Sequence, residues 1–221
     1  MSISTLLGPT ICSFIERSWL PGACLLCHAG SREALCGPCL SELPEQVPRE
    51  EWVSAAGLVQ GGGLLALALW RYSEPADRVV LAFKYGGQAS VARLWAARMA
   101  PRLPPVDALV AMPMHRERLA ERGENPTEVM ARTLRRQLPG RPPLVGATRT
   151  RLTARQQGLD RAGRLANVAG SVRIDSDLQG RRVLLVDDVL TTGASLLALA
   201  EAARAAGAAE VTAVAMARAA D

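Results

Sequence analysis

The chain has 221 residues, 49% of them hydrophobic, 21% charged and 4% aromatic, with a formal net charge of +5. That length and apolar share exclude general disorder and suffice for one large domain with a small appendage. The scarcity of rings argues against a stacking platform for single strands, and the basic surplus of one lysine and twenty-five arginines suits phosphate-bearing partners and a solvated mixed surface alike.

Residues 1–24 show no basic segment ahead of an apolar core, and no apolar run approaches the roughly twenty residues needed to span a bilayer. No leader and no membrane span are expected, and the expected compartment is the cytoplasm. Cys12, within the apolar stretch 6–15, is expected to pack as a small hydrophobe. The other four cysteines form two CxxC pairs, Cys24 with Cys27 and Cys36 with Cys39. Each pair can turn tightly and aim two thiolates at one ion, so the spacing predicts a closed tetrahedral zinc site of structural character, with no position left for substrate. Disulfides are the alternative, and they suit a secreted chain better. His28 is expected to be a bystander. The polar, proline-bearing residues 41–48 then read as a linker, which places a zinc module over 1–50 and a second domain over 51–221.

In that second domain strand and helix signals alternate. Residues 64–72 read as a strand, and Ser73, Glu74 and Pro75 open a helix carrying Val79, Val80 and Phe83 that stops at Gly86 and Gly87. A helix over 88–99, a strand over 106–112 and helices over 127–138 and 153–168 follow. The last forty residues give a strand over 183–186, a helix over 194–206 with Gly207 as its cap, and a strand over 210–216. This βαβ unit implies an α/β fold whose parallel sheet is covered on both faces.

At the join of that strand and helix, Asp187 and Asp188 precede Thr191, Thr192, Gly193, Ala194 and Ser195. In an open α/β sheet ligands sit beyond the carboxyl ends of the strands, and small residues let backbone N–H groups close around a phosphate at a helix N-terminus. Two carboxylates beside that cradle would repel a bare phosphate, so hydroxyls or a metal should lie between them, as a ribose 5-phosphate provides. Both carboxylates reach one ligand only if the strand ends there. A helix start capped by Thr and Ser, with two solvated aspartates, is the plainer alternative.

The run 183–195 resembles the binding loop of type I phosphoribosyltransferases, which use 5-phosphoribosyl 1-pyrophosphate. The resemblance implies that Asp187 and Asp188 contact the ribose hydroxyls and that Thr191, Thr192, Gly193, Ala194 and Ser195 hold the 5-phosphate. Together with the cysteine pairs, the segment Phe83-Lys84-Tyr85-Gly86-Gly87, the run Met112-Pro113-Met114-His115, Arg122, Gly123 and Asn125, and then Arg149, Thr153, Gln156, Arg164 and Asn167, the chain resembles the ComF family over nearly its whole length. Members of that family are associated with competence and with bringing DNA into the cytoplasm or using it as a nutrient. Where the family reads Arg-Gly-Phe-Asn-Gln, this chain has Glu124 and Pro126 in place of the Phe and the Gln, departures that touch the region after the strand 106–112.

Lys84, the single lysine, and Arg116, Arg118 and Arg122 are candidates for a pyrophosphate site, with a helix-end cation and solvent-facing arginines as the alternatives. Two functions of different class stay open. One is a ribose-phosphate-binding module acting in DNA uptake beside single-stranded DNA and a helicase-type partner. The other is an active phosphoribosyltransferase of nucleotide metabolism or salvage, with magnesium on the pyrophosphate and an unidentified acceptor.

Overall fold

The computed structural model describes residues 22–45, 53–54, 64–86, 89–150 and 171–219. Cys12, the end of the expected linker and the expected helix over 153–168, with Thr153, Gln156, Arg164 and Asn167, lie outside the described residues. The chain divides into two units, Met1–Leu43 and Pro44–Asp221.

In the smaller unit β1 (Gly22–Ala23) pairs antiparallel with β2 (Gly30–Ser31), and α1 (Gly37–Ser41) follows. The first CxxC is a tight turn, with the Cys24 N–H donating to Ala29 O at 2.8 Å and the His28 N–H to Cys24 O at 3.0 Å. The second departs from the expected turn: Cys36 is the N-cap of α1 and Pro38 falls in its first turn, where a missing N–H costs nothing.

The larger unit is built on a sheet whose order, among the described residues, is β3-β4-β10-β9-β5-β6. Its strands are β3 (Val53–Ser54), β4 (Leu65–Arg71), β5 (Ala108–Ala111), β6 (Leu144–Val145), β9 (Arg182–Leu190) and β10 (Glu210–Arg218). All neighbours run parallel except β3 with β4. A separate antiparallel pair is formed by β7 (Thr148–Arg149) and β8 (Val172–Arg173). The helices are α2 (Ala76–Gly86), α3 (Ala89–Met99), α4 (Arg116–Arg122), α5 (Pro126–Arg135) and α6 (Ala194–Ala205). The expected α/β architecture is therefore the one observed.

The near-continuous apolar run Val183, Leu184, Leu185 and Val186 is buried throughout because helices cover both faces of β9. On one face Leu196, Leu197, Leu199 and Ala203 of α6 join Val110, Val183, Leu185 and Ala215 in a single cluster. The alternate residues Leu109, Leu184, Val186 and Val214 are buried on the opposite side. There α3 is also held by the Trp95 indole, which donates to Ala215 O at 3.2 Å. After α6 the chain turns at Gly207 with φ +98°, and a Cβ there would stand 3.0 Å from the Gln179 Cα, so this turn requires glycine.

Pro44 and Glu45, in the stretch read as linker, are stitched to the sheet edge. The Arg71 N–H donates to Pro44 O at 2.9 Å, and Glu45 bridges to Trp70 and forms ion pairs with Arg98 at 2.6 Å and Arg102 at 3.4 Å. Among the described residues no helix is long and apolar enough to cross a membrane.

Candidate functional site

The register of three strands opens the site. β5 stops at Ala111, opposite Val186, whereas β9 continues to Leu190 against Arg218 of β10. The strand thus does not end at the aspartates, as both reaching one ligand was expected to require; its neighbour ends instead. Among the described residues no strand pairs with this edge of β9 from Asp187 to Leu190, and a cleft of about 750 Å³ lies there, bordered by both aspartates and by Thr191, Gly193, Ala194 and Ser195.

The far wall is fixed by a buried cap. Asn125 and Thr127 are 5% and 4% exposed. Asn125 Nδ2 donates to Met112 O at 3.0 Å, the Thr127 hydroxyl donates to the same oxygen at 2.7 Å, and the Thr127 N–H donates back to Asn125 Oδ1 at 3.2 Å. Asn125 is the N-cap of α5 and Pro126 opens that helix. The exchange of the family's glutamine for Pro126 therefore falls at a position that needs no N–H donor.

The floor is electrostatic. Lys84 Nζ lies 3.0 Å from Asp188 Oδ1, the two side chains being 21% and 22% exposed. The lysine, foreseen as either a pyrophosphate ligand or a helix-end cation, lies in the cleft against a carboxylate. Asp187 turns its Oδ1 to accept the Asp188 N–H at 2.8 Å. Burial, with the Asp188 charge beside it, pushes the Asp187 carboxyl up to about 7. The ordinary aspartate value is 3.8, so the stability that the protonated carboxyl confers is complete below that pH and is lost as pH rises through 7. Asp187→Asn is expected to raise the melting temperature at about pH 8, with a gain that shrinks as the pH is lowered to about 5. Melting curves across that range check it, and a pH-independent gain would contradict the assignment.

The small-residue loop leads into α6 with Gly193 as the N-cap at φ +76°. The N-cap position itself is thus a glycine, neither threonine nor serine. The Thr192 hydroxyl is buried and without a hydrogen-bond partner, although Thr192 itself does not border the cleft. Of the candidate arginines, Arg118 and Arg122 border the cleft, and Arg122 stacks 4.9 Å from the centre of the Tyr85 ring. Arg116 is exposed on α4 and does not border it. Arg149, to which the sequence attached no role, does border it. Burial lowers its pKa, the Arg118 charge adds to that lowering, and the Asp187 charge opposes it. His115 accepts the Glu117 N–H on Nδ1 at 3.4 Å and so caps α4.

In the smaller unit the Sγ atoms of Cys24, Cys27, Cys36 and Cys39 all lie within 4.8 Å of one another, and those of Cys27 and Cys36 are 3.6 Å apart. Tetrahedral thiolates about 2.3 Å from one ion stand about 3.8 Å apart, so this donor set fits a metal ion. No disulfide links the four, and His28 is exposed outside the cluster. Burial opposes ionisation of Cys24, but backbone N–H groups of Cys27, Cys36 and Leu26 outweigh it and bring the thiol down to about 6. Hydrogen bonds that the Cys39 thiol donates to the Cys27 and Cys36 sulfurs, with burial, push Cys39 up. Four sulfurs this close favour one shared cation over four separate charges.

The phosphoribosyl transferase domain family matches residues 89–221. The DNA utilization protein YhgH of Escherichia coli (strain K12) is 27% identical over 175 residues, which cover 75% of this chain and 70% of that protein. Competence protein F of Haemophilus influenzae is 30% identical over 162 residues, covering 67% of this chain and 70% of that one. Among solved structures, a purine phosphoribosyltransferase from Pyrococcus horikoshii aligns over 69% of this chain and 76% of its own at 20% identity and a TM-score of 0.35, too distant a likeness to add to the argument. On the domain match and the competence relative, the chain belongs to the ComF family, with a phosphoribosyl transferase domain as its larger part.

Proposed function

We propose that the cleft binds a ribose 5-phosphate ligand such as 5-phosphoribosyl 1-pyrophosphate, and that the protein uses this site in the uptake or utilisation of DNA. The observation that carries the reading is the meeting, beyond the end of β5, of two carboxylates with a helix start whose N-cap is glycine. Carboxylates accept from ribose hydroxyls, and the helix start takes the phosphate. Magnesium would accompany the ligand on its pyrophosphate oxygens. Zinc is the metal we assign to the four thiolates, as a structural ion, and such a reduced set suits the cytoplasm. The names of the bacterial relatives support a role with incoming DNA, and single-stranded DNA with a helicase-type protein are the partners we propose on that ground.

One observation favours an active transferase with an unidentified acceptor: a carboxyl that titrates near neutrality, Asp187, stands in the cleft. The test of both is calorimetric titration of 5-phosphoribosyl 1-pyrophosphate with magnesium into the metal-loaded protein. Saturable binding at one site per chain is expected, and continued release of pyrophosphate on adding nucleobases marks the transferase. A folded protein that takes up none of the ligand overturns the proposal.

A further inference from the structure

A second cavity, of about 310 Å³, opens beside the cleft, between the end of α2 and the turn that joins α4 to α5. Among the described residues its walls are apolar at Phe83, Ala89, Pro126 and Val129, and Tyr85, which is 71% exposed, borders it as well. An apolar cavity of about 150 Å³ already takes a benzene ring, so this one has room for a ring and its substituents. Two cations on its border are engaged, Lys84 with Asp188 at 3.0 Å and Arg122 over the Tyr85 ring at 4.9 Å. Glu124 is not: it borders the cavity, and among the described residues no hydrogen bond or ion pair reaches it.

The backbone around that carboxylate is pinned on both sides. Gly123, at φ +79°, ends α4 by donating its N–H to Leu119 O at 2.8 Å, and Asn125 is buried as the N-cap of α5. Glu124 stands between them, where the ComF pattern has phenylalanine. A phenyl group at this position would bring its own ring to the apolar walls; here the walls remain and an acid takes the place of the ring. Apolar surface that no side chain covers, with one unpaired carboxylate at its rim, is the make-up of a small-molecule site, in which the walls supply affinity and the charge supplies orientation.

We infer that this cavity binds a flat aromatic ring that carries an amino or amidine edge, the ring lying on Phe83, Pro126 and Val129 and the edge donating to the Glu124 carboxylate. A planar amidine meets both oxygens of a carboxylate as a guanidinium does, whereas a carbonyl at the same place sets oxygen against oxygen. The cavity and the cleft share Lys84, Tyr85, Arg122 and Pro126 as borders, so a ring held here stands against the occupant of the cleft. The inference itself requires no phosphoribosyl ligand.

The probe is benzamidine, titrated calorimetrically into the full-length, metal-loaded protein, with benzamide, its neutral counterpart of the same shape, alongside. Saturable binding of benzamidine at one site per chain is expected, and benzamide should bind at least about tenfold more weakly. Glu124→Gln keeps the shape and removes the charge, and it should weaken benzamidine about tenfold while leaving benzamide nearly unchanged. Glu124→Phe supplies the ring of the family pattern. It should abolish binding of both probes and raise the melting temperature of the unliganded protein by several degrees, because a phenyl group then covers the apolar walls. Equal affinity for the two probes overturns the inference, and so does a parent protein that takes up no benzamidine. Benzamidine binding that persists unchanged in both variants overturns it as well, since other carboxylates, such as those of the cleft, then hold the probe. Should the phenylalanine variant fail to fold, the glutamine variant and the comparison with benzamide decide.

Discussion

Exchanging Asp187 and Asp188 together for asparagine is expected to weaken 5-phosphoribosyl 1-pyrophosphate binding by at least about a hundredfold, because each hydrogen bond to a charged acceptor contributes about 1.5–3 kcal/mol. The sign of the effect is what makes the experiment decisive. At about pH 8, above the Asp187 value of about 7, the double exchange removes two negative charges from a cleft that also contains Lys84, Arg118, Arg122 and Arg149, so a ligand held only by its phosphates would bind more tightly to the variant. A ligand held through ribose hydroxyls loses its acceptors and binds more weakly despite the more positive cleft. Calorimetry on parent and variant at equal ionic strength separates the two, and tighter binding by the variant rules out hydroxyl recognition. Melting curves on the same samples guard against simple misfolding.

Cys36→Ser is expected to abolish binding of the zinc proposed for the four thiolates and, with it, the folded state of the smaller unit. Zinc capture by such peptides contributes an apparent 10–16 kcal/mol, on the order of the whole stability of a small domain. Among the described residues the regular structure around the cysteines is slight: two strands of two residues each and a helix of five. Metal content by atomic absorption and amide exchange over residues 22–43 should fall together, while the sheet of the larger unit, with its own core, keeps its protection. A metal-free serine variant with parental protection over those residues would refute the structural role. A disulfide there is separated by the same samples, since a bridged pair resists chelators and yields to reductant.

Much of the fold was legible in the sequence because its signals were local. The apolar run at 183–186, the small residues at 191–195 and the glycine at 207 each act over a few neighbours, and the βαβ unit at the C-terminus stands where they put it. The boundaries were less legible. β9 extends to Leu190 because β10 pairs with it that far, a fact about a partner strand that residues 187–190 do not encode. The same limit applies to the site. Lys84 and Asp188 meet across more than a hundred residues of chain, and Arg149 reaches the cleft from a short hairpin, so no spacing rule joins them. Asn125-Pro126-Thr127 is the opposite case. Its cap chemistry is present in the sequence, since an asparagine followed by proline is a strong helix start.

The ion pair between Lys84 and Asp188 means that the empty cleft already neutralises part of itself. Any hydroxyl-bearing ligand that comes to Asp188 competes with an ammonium for that carboxylate, so binding is an exchange of partners and not a simple filling of space. A lysine suits that exchange. Its single charged nitrogen sits on a flexible four-carbon stem and can swing from a carboxylate to an incoming phosphate while α2 stays still. An arginine would grip both oxygens of Asp188 with its planar fork and release them reluctantly. In a chain that uses arginine at every other basic position, the lone lysine stands at the place where a cation has to let go.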